Sequence, residues 1–131
     1  MDNETILEEL LLKKSQQKKK FSPINYKERL FVLTKANLSY YEYDKEVRSH
    51  FPKYTVLRFS KGSIDIKKIR CVETVNLEES TPSARQYPFQ IVYKDGLLYV
   101  YAASEESRNR WLAALHKGNV IPLCTRKFKI L

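Results

Sequence analysis

Between Lys13 and Arg29 the sequence KKSQQKKKFSPINYKER carries seven Lys or Arg against one acid, Glu28, a net charge of +6. So many like charges cannot be buried together without a counter-charge, and they must face water or an anion. A ligand bearing several phosphates would relieve their mutual repulsion. Arg29 offers a planar two-pronged donor, whereas the lysines act as point charges. Ser22 and Asn25 add neutral donors suited to ring hydroxyls, which makes an inositol polyphosphate the natural partner of such a set. The plain alternative is a solvated loop, and a lysine run by itself does not decide between the two.

The remaining charge and motif content narrows the choice. The chain carries +9 overall; residues 45–61 hold five bases and one acid, and the last fifteen residues hold four bases and no acid. Lipid headgroups, a membrane surface and nucleic acid are all partners for such a chain. The sequence has no RNP-like motif, recognition helix or Gly-rich clamp, which argues against nucleic acid. With three glycines in the chain and no GxGxxG, P-loop or HRD motif, it offers no kinase machinery, and neither an enzyme activity nor a cofactor is expected. Cys71, Cys124, His50 and His116 are far apart and lack metal-ligand spacing, so neither a metal site nor a disulfide framework is expected. Cys71, within IRCVETV, is expected to be a buried thiol acting as a small hydrophobe. No apolar run approaches ~20 residues, and MDNETILEELLLKK places acids ahead of its apolar residues, unlike a secretory signal. An intracellular, cytoplasmic protein is the expectation.

The elements that must hold the cations follow from periodicity. ILEELLLKK (6–14) is short and apolar with a basic end, and is expected as a strand. KERLFVLT alternates Arg29, Phe31 and Leu33 against Leu30 and Val32, a strand pattern. Lys35-Ala36-Asn37 turns the chain into LSYYEYD, a third strand. Residues 46–60 lack a period and contain Pro52, so a long loop is expected, with a short strand around Tyr54–Leu57. SIDI and KKIRCVETV are strand-like, and NLEESTPSARQ is a polar loop. YPFQIVYKDGLLYVYA is a hairpin with Asp95-Gly96 as its expected two-residue turn. SEESRNRWLAALHKG is a helix, capped by Ser104, with Glu105 and Glu106 at its start and His116, Lys117 and Gly118 at its end. Trp111 and Leu115, four apart, share its packed face.

Pairing the first two strands so that residue numbers sum to 42 sets Lys13 opposite Arg29. Lys27 then lies on the same face. Three cations would converge at the open end of this hairpin, beneath a loop that adds Lys18, Lys19 and Lys20.

About seven antiparallel strands followed by one C-terminal helix is the element order of a pleckstrin-homology (PH) domain, a mainly β, bent seven-stranded antiparallel barrel closed by the helix. The segments KSQQKKK, YKERLFVLTK, LSYYEYDK, KGSIDIKKIRCVE, YPFQIVYKDGLLYVYA and RNRWLAAL together closely resemble the N-terminal PH domain of Tec-family non-receptor tyrosine kinases. The resemblance covers residues 5–45 and 60–117. It implies binding of phosphatidylinositol 3,4,5-trisphosphate and soluble inositol polyphosphates, with recruitment to the anionic inner surface of the plasma membrane. It assigns Lys13, Lys27 and Arg29 to the basic signature, and Gln17, Lys18, Lys19, Ser22 and Asn25 to headgroup contacts. It also implies that Tyr40 supplies the hydroxyl that completes the pocket. A second reading of the same fold is a protein-interaction module that engages signalling proteins.

Two departures from that family stand out. Residues 46–60 form a longer, more aromatic connection inside a PH domain expected over residues 4–117. Residues 118–131 are a divergent basic tail that keeps one Cys of the family's His- and Cys-rich zinc segment, so no zinc is expected.

Overall fold

A computed structural model describes residues 4–15, 24–43, 58–77, 81–82, 85–119 and 121–124. Its strands are β1 (Thr5–Lys14), β2 (Tyr26–Thr34), β3 (Asn37–Tyr43), β4 (Arg58–Asp65), β5 (Ile69–Thr74), β6 (Tyr87–Tyr93) and β7 (Gly96–Ala102), followed by helix α1 (Glu105–Ala113). They form one sheet in the order β4-β3-β2-β1-β7-β6-β5, with every neighbouring pair antiparallel. The expected seven strands and C-terminal helix are therefore all present. Of the loop expected at 46–60, residues 46–57 lie outside the described residues, as does the short strand expected at Tyr54–Leu57, whereas residues 58–60 are not loop but the first three residues of β4, paired with β3.

The strand pattern follows from alternation. Leu11, Phe31 and Leu33 on odd positions of β1 and β2 are buried in the core together with Trp111 and Leu115. The even positions of the same strands point to the opposite face. Thr34 Oγ1 accepts from the amides of Ala36 and Asn37, which closes the turn into β3. Between β4 and β5 a 3₁₀ turn spans Ile66–Lys68, with Asp65 Oδ1 accepting from Lys67 N at its start.

α1 begins where the sequence places it: Ser104 is extended and its Oγ accepts from Ser107 N at 3.1 Å, with Glu105 and Glu106 in the first turn. Trp111 is fully buried and meets Phe31 edge-on, centroids 6.4 Å apart. The helix is clasped to β1 through Glu9, which accepts from Ser107 Oγ and pairs with Arg110 at 3.2 Å. A π-helical turn over Ala114–Gly118 continues it and buries Leu115.

Three details of the sequence expectation change. In the β6–β7 hairpin, Tyr93 pairs with Gly96, so the two-residue loop is Lys94–Asp95 rather than Asp95-Gly96. Gly96, with φ 159°, is the first residue of β7, and Lys94 N donates to Lys68 O at 2.9 Å, tying the turn to the 3₁₀ segment. The β1–β2 register sums to 40, not 42: Lys13 pairs with Lys27, and Arg29 with Leu11. A two-residue slip preserves the faces, so hydrophobic alternation cannot detect it.

The third change concerns Cys71, which is bonded to Cys124 across a sequence separation of 53 rather than being a free thiol. The chain after the helix folds back along β5. Val72 N donates to Pro122 O and Cys124 N to Val72 O, each at 3.0 Å, so this segment runs parallel to the strand edge. Ile121 is buried, and His116 Nδ1 donates to its carbonyl at 2.6 Å. Sequence distance hid a pairing that this return creates.

Candidate phosphate-binding site

Lys13, Lys27, Arg29 and Tyr40 all project from the core-facing side of the sheet. Lys13 shares its side of β1 with Leu11, Arg29 and Lys27 share theirs on β2 with Phe31, and Phe31 pairs with Tyr40 on β3. Toward the hairpin end this face changes from apolar to cationic, and it does so within two residues on each strand. Directly opposed side chains such as Lys13 and Lys27 have Cβ atoms about 5 Å apart, with the diagonal neighbour about 7–8 Å away. The three cations are therefore held by backbone pairing and need no side-chain partner to stay together.

The mouth of the hairpin is closed by a reciprocal contact. Ser15 N donates to Asn25 O at 2.7 Å, and Asn25 N donates to Ser15 Oγ at 2.8 Å. Asn25 is exposed, which leaves its amide at the rim of the cationic end. Gln17, Lys18, Lys19 and Ser22, the other expected loop contacts, lie outside the described residues.

Tyr40 forms the floor. Its ring lies 5.3 Å from Phe31, and Lys13 Nζ sits over it at 5.2 Å, so a line of contacts runs from the cation through Phe31 to Trp111. Burial, with Tyr93 nearby, pushes the Tyr40 phenol above its ordinary range, while Arg29 acts in the opposite sense. The phenol is therefore neutral, and a hydrogen-bond donor, at physiological pH.

Three contributors were not among the expected site residues. Gly62 of β4 pairs with Tyr40, and a methyl group there would lie 2.4 Å from the Cζ and Oη atoms of the tyrosine. Only glycine lets that ring lie flat across the strand. The register shift beside it leaves Lys61 as the extra residue of a bulge, and Lys61 Nζ pairs with Glu42 at 2.9 Å. The Glu42 carboxyl is held below its usual range by the Lys61 hydrogen bond and charge, with smaller effects of Arg29 and Lys27. An acid therefore competes for the field of the cationic end. Glu42 was discoverable, because Tyr40 and Glu42 alternate onto one face, whereas Gly62 required the β3–β4 register.

The sequence profile of the PH domain matches residues 5–118. The chain belongs to the PH domain family. Over 117 residues it is 73% identical to the human "Cytoplasmic tyrosine-protein kinase BMX", and 72% identical to the mouse protein of that name; these matches cover 89% of the chain. It is 31% identical to "Tyrosine-protein kinase Btk" of Drosophila melanogaster over 82% of its length. The chain spans about a sixth of these relatives: 16%, 17% and 17%. Among solved structures, the carboxyl-terminal PH domain of pleckstrin shares the fold at a TM-score of 0.57 and 24% identity, covering 88% of this chain and 96% of that one. The same pleckstrin domain in complex with D-myo-Ins(1,2,3,5,6)P5 gives 0.56 at 22% identity, covering 88% and 95%. The N-terminal PH domain of human ARAP2 gives 0.59 at 22% identity, covering 86% and 77%.

Proposed function

We propose that this PH domain binds phosphatidylinositol 3,4,5-trisphosphate and brings the chain that carries it to the cytoplasmic surface of the plasma membrane, in tyrosine-kinase signalling. The carrying observation is the convergence of Lys13, Lys27, Arg29 and Tyr40 on one face at the open end of the β1–β2 hairpin. Arg29 grips one phosphate with two N–H groups, Lys13 and Lys27 neutralise its neighbours, and Tyr40 donates a neutral hydrogen bond. Gln17, Lys18, Lys19, Ser22 and Asn25 supply contacts from the loop. The pleckstrin domain complexed with an inositol pentakisphosphate supports this class of ligand, and the likeness to cytoplasmic tyrosine kinases supports the setting.

Titration with soluble inositol 1,3,4,5-tetrakisphosphate tests the assignment. Arg29→Ala is expected to lose the tight binding event, whereas Lys20→Ala weakens it modestly and reduces its salt dependence, as a contribution to the general field alone should. Unchanged affinity in Arg29→Ala sinks the assignment. Failure to discriminate the trisphosphate lipid, together with capture of a signalling protein, would favour the protein-interaction reading.

A further inference from the structure

β5 ends the sheet, so its outer backbone groups face away from every other strand. An edge of this kind is a template for any extended segment that can reach it. Here the segment is the chain's own. Residues 121–124 run along β5, with Leu123 bridged in parallel to Val72. Val72 N donates to Pro122 O, and Cys124 N donates to Val72 O. At the near end Ile121 N donates to Leu115 O at 3.3 Å, and His116 Nδ1 donates to Ile121 O. At the far end Cys124 is bonded to Cys71, the residue before Val72.

The two ends are held by different forces. Ile121 is buried and carries two hydrogen bonds of its own, so it anchors the near end without help. Beyond it no side chain is buried: Pro122 is exposed, Leu123 is 54% exposed and Cys124 is half-buried. A cavity of about 370 Å³ lined by Val72, Thr74, Leu112, His116, Leu123 and Cys124 lies where a close-packed strand would make its contacts. Fixing one residue's backbone costs about as much as one net backbone hydrogen bond returns. The two bonds to Val72 therefore do not outweigh the ordering of Pro122, Leu123 and Cys124. The disulfide makes up the difference, and both its cysteines are half-buried, within reach of a small thiol.

We propose that Cys71 and Cys124 form a redox latch on the β5 edge, closed by a disulfide oxidant of the glutathione class and opened by a thiol reductant. In closing, the Cys124 thiolate attacks glutathione disulfide and expels one glutathione thiolate. The Cys71 thiolate then attacks the Cys124 sulfur of the mixed disulfide and expels the second. The cysteine pair gives up two electrons and two protons, and one glutathione disulfide becomes two glutathione thiols. Two glutathione thiols, or one dithiol, reverse the exchange. With the latch open, residues 122–124 swing away about Ile121 and the N–H and C=O of Val72 return to solvent. The latch rests on no part of the phosphate-site reading.

Hydrogen exchange followed by NMR on the full chain, in reduced or in oxidised glutathione buffer, tests the latch amide by amide. In the oxidised buffer, mass spectrometry should find the Cys71–Cys124 bond within one chain. Reduction should raise the exchange rates of Val72 and Cys124 relative to Ile121 by at least about tenfold, with circular dichroism showing an intact sheet. Referring the rates to Ile121 removes any loosening of the whole fold, which would speed all three alike. Cys124→Ser should show the reduced Val72 to Ile121 ratio in both buffers; the reduced wild type supplies the same comparison if this variant folds poorly. An unchanged ratio on reduction overturns the proposal, because the segment then stays docked without its bond. A bond that forms only between two chains, or a ratio that still responds to the buffer in Cys124→Ser, overturns it equally.

Discussion

At the scale of single residues, the site depends on side chains that the backbone places and on one side chain that is missing. Arg29 combines charge with a planar donor fork, so Arg29→Lys keeps the charge but loses the two-pronged geometry; it should cost about tenfold in headgroup affinity. Gly62→Ala introduces a methyl group 2.4 Å from the Tyr40 ring. The ring must swing out of its place under Lys13, so calorimetry should show headgroup binding weakened several-fold while circular dichroism shows an intact sheet. An unchanged affinity would remove Tyr40 from the site. Glu42 acts in the other direction: its carboxylate is ionised and stands in the field of Lys61, Arg29 and Lys27. Glu42→Gln should therefore raise affinity for a polyphosphate by a few-fold, with the gain shrinking as salt rises.

At the scale of elements, alternation was the strongest signal, and its strength explains its limits. KERLFVLT and the paired run from Tyr87 to Ala102 declare their faces, so the strands, the shared side of Lys13, Lys27 and Arg29, and the capped helix were all legible. The register was not, because a slip of two leaves every side chain on its own face. The contact that fixes it is the Ser15–Asn25 closure, a property of the loop mouth and not of the pattern. The Cys71–Cys124 bond was invisible for a different reason: it depends on a chain reversal after α1. Closing a loop of 53 residues contributes about 4 kcal/mol in the chain-entropy account. Dithiothreitol should then lower the thermal midpoint by on the order of 10 °C in the wild type and leave Cys124→Ser unaffected. In a reducing cytoplasm the pair would be a dithiol and this contribution absent. The tyrosines give the sheet a pH response as well. Burial is the largest cause raising the phenols of Tyr40, Tyr99 and Tyr101. The fold therefore favours their protonated forms, and this stability is full below the ordinary tyrosine value of about 10 and is lost as pH rises through and beyond it. Thermal midpoints measured from pH 8 to pH 11 should fall at the alkaline end, and Tyr101→Phe should flatten the fall.

At the scale of the whole molecule, a net charge of +9 draws the domain to any anionic surface, and each basic residue near such a surface adds roughly 1 kcal/mol, screened within a Debye length. That attraction is unselective. Selectivity must come from the few cations whose positions are fixed, and the sheet fixes Lys13, Lys27 and Arg29 whereas a flat basic surface would not. The measurement that separates the two is vesicle flotation at physiological salt. It compares phosphatidylcholine vesicles carrying phosphatidylinositol 3,4,5-trisphosphate, phosphatidylinositol 4,5-bisphosphate or phosphatidylserine, for the wild type and Arg29→Ala. The account predicts that the wild type floats preferentially with the trisphosphate lipid and that Arg29→Ala loses this preference while keeping a weak, salt-sensitive attachment to all three. Equal flotation of the wild type with all three lipids, or an undiminished preference in Arg29→Ala, would contradict it.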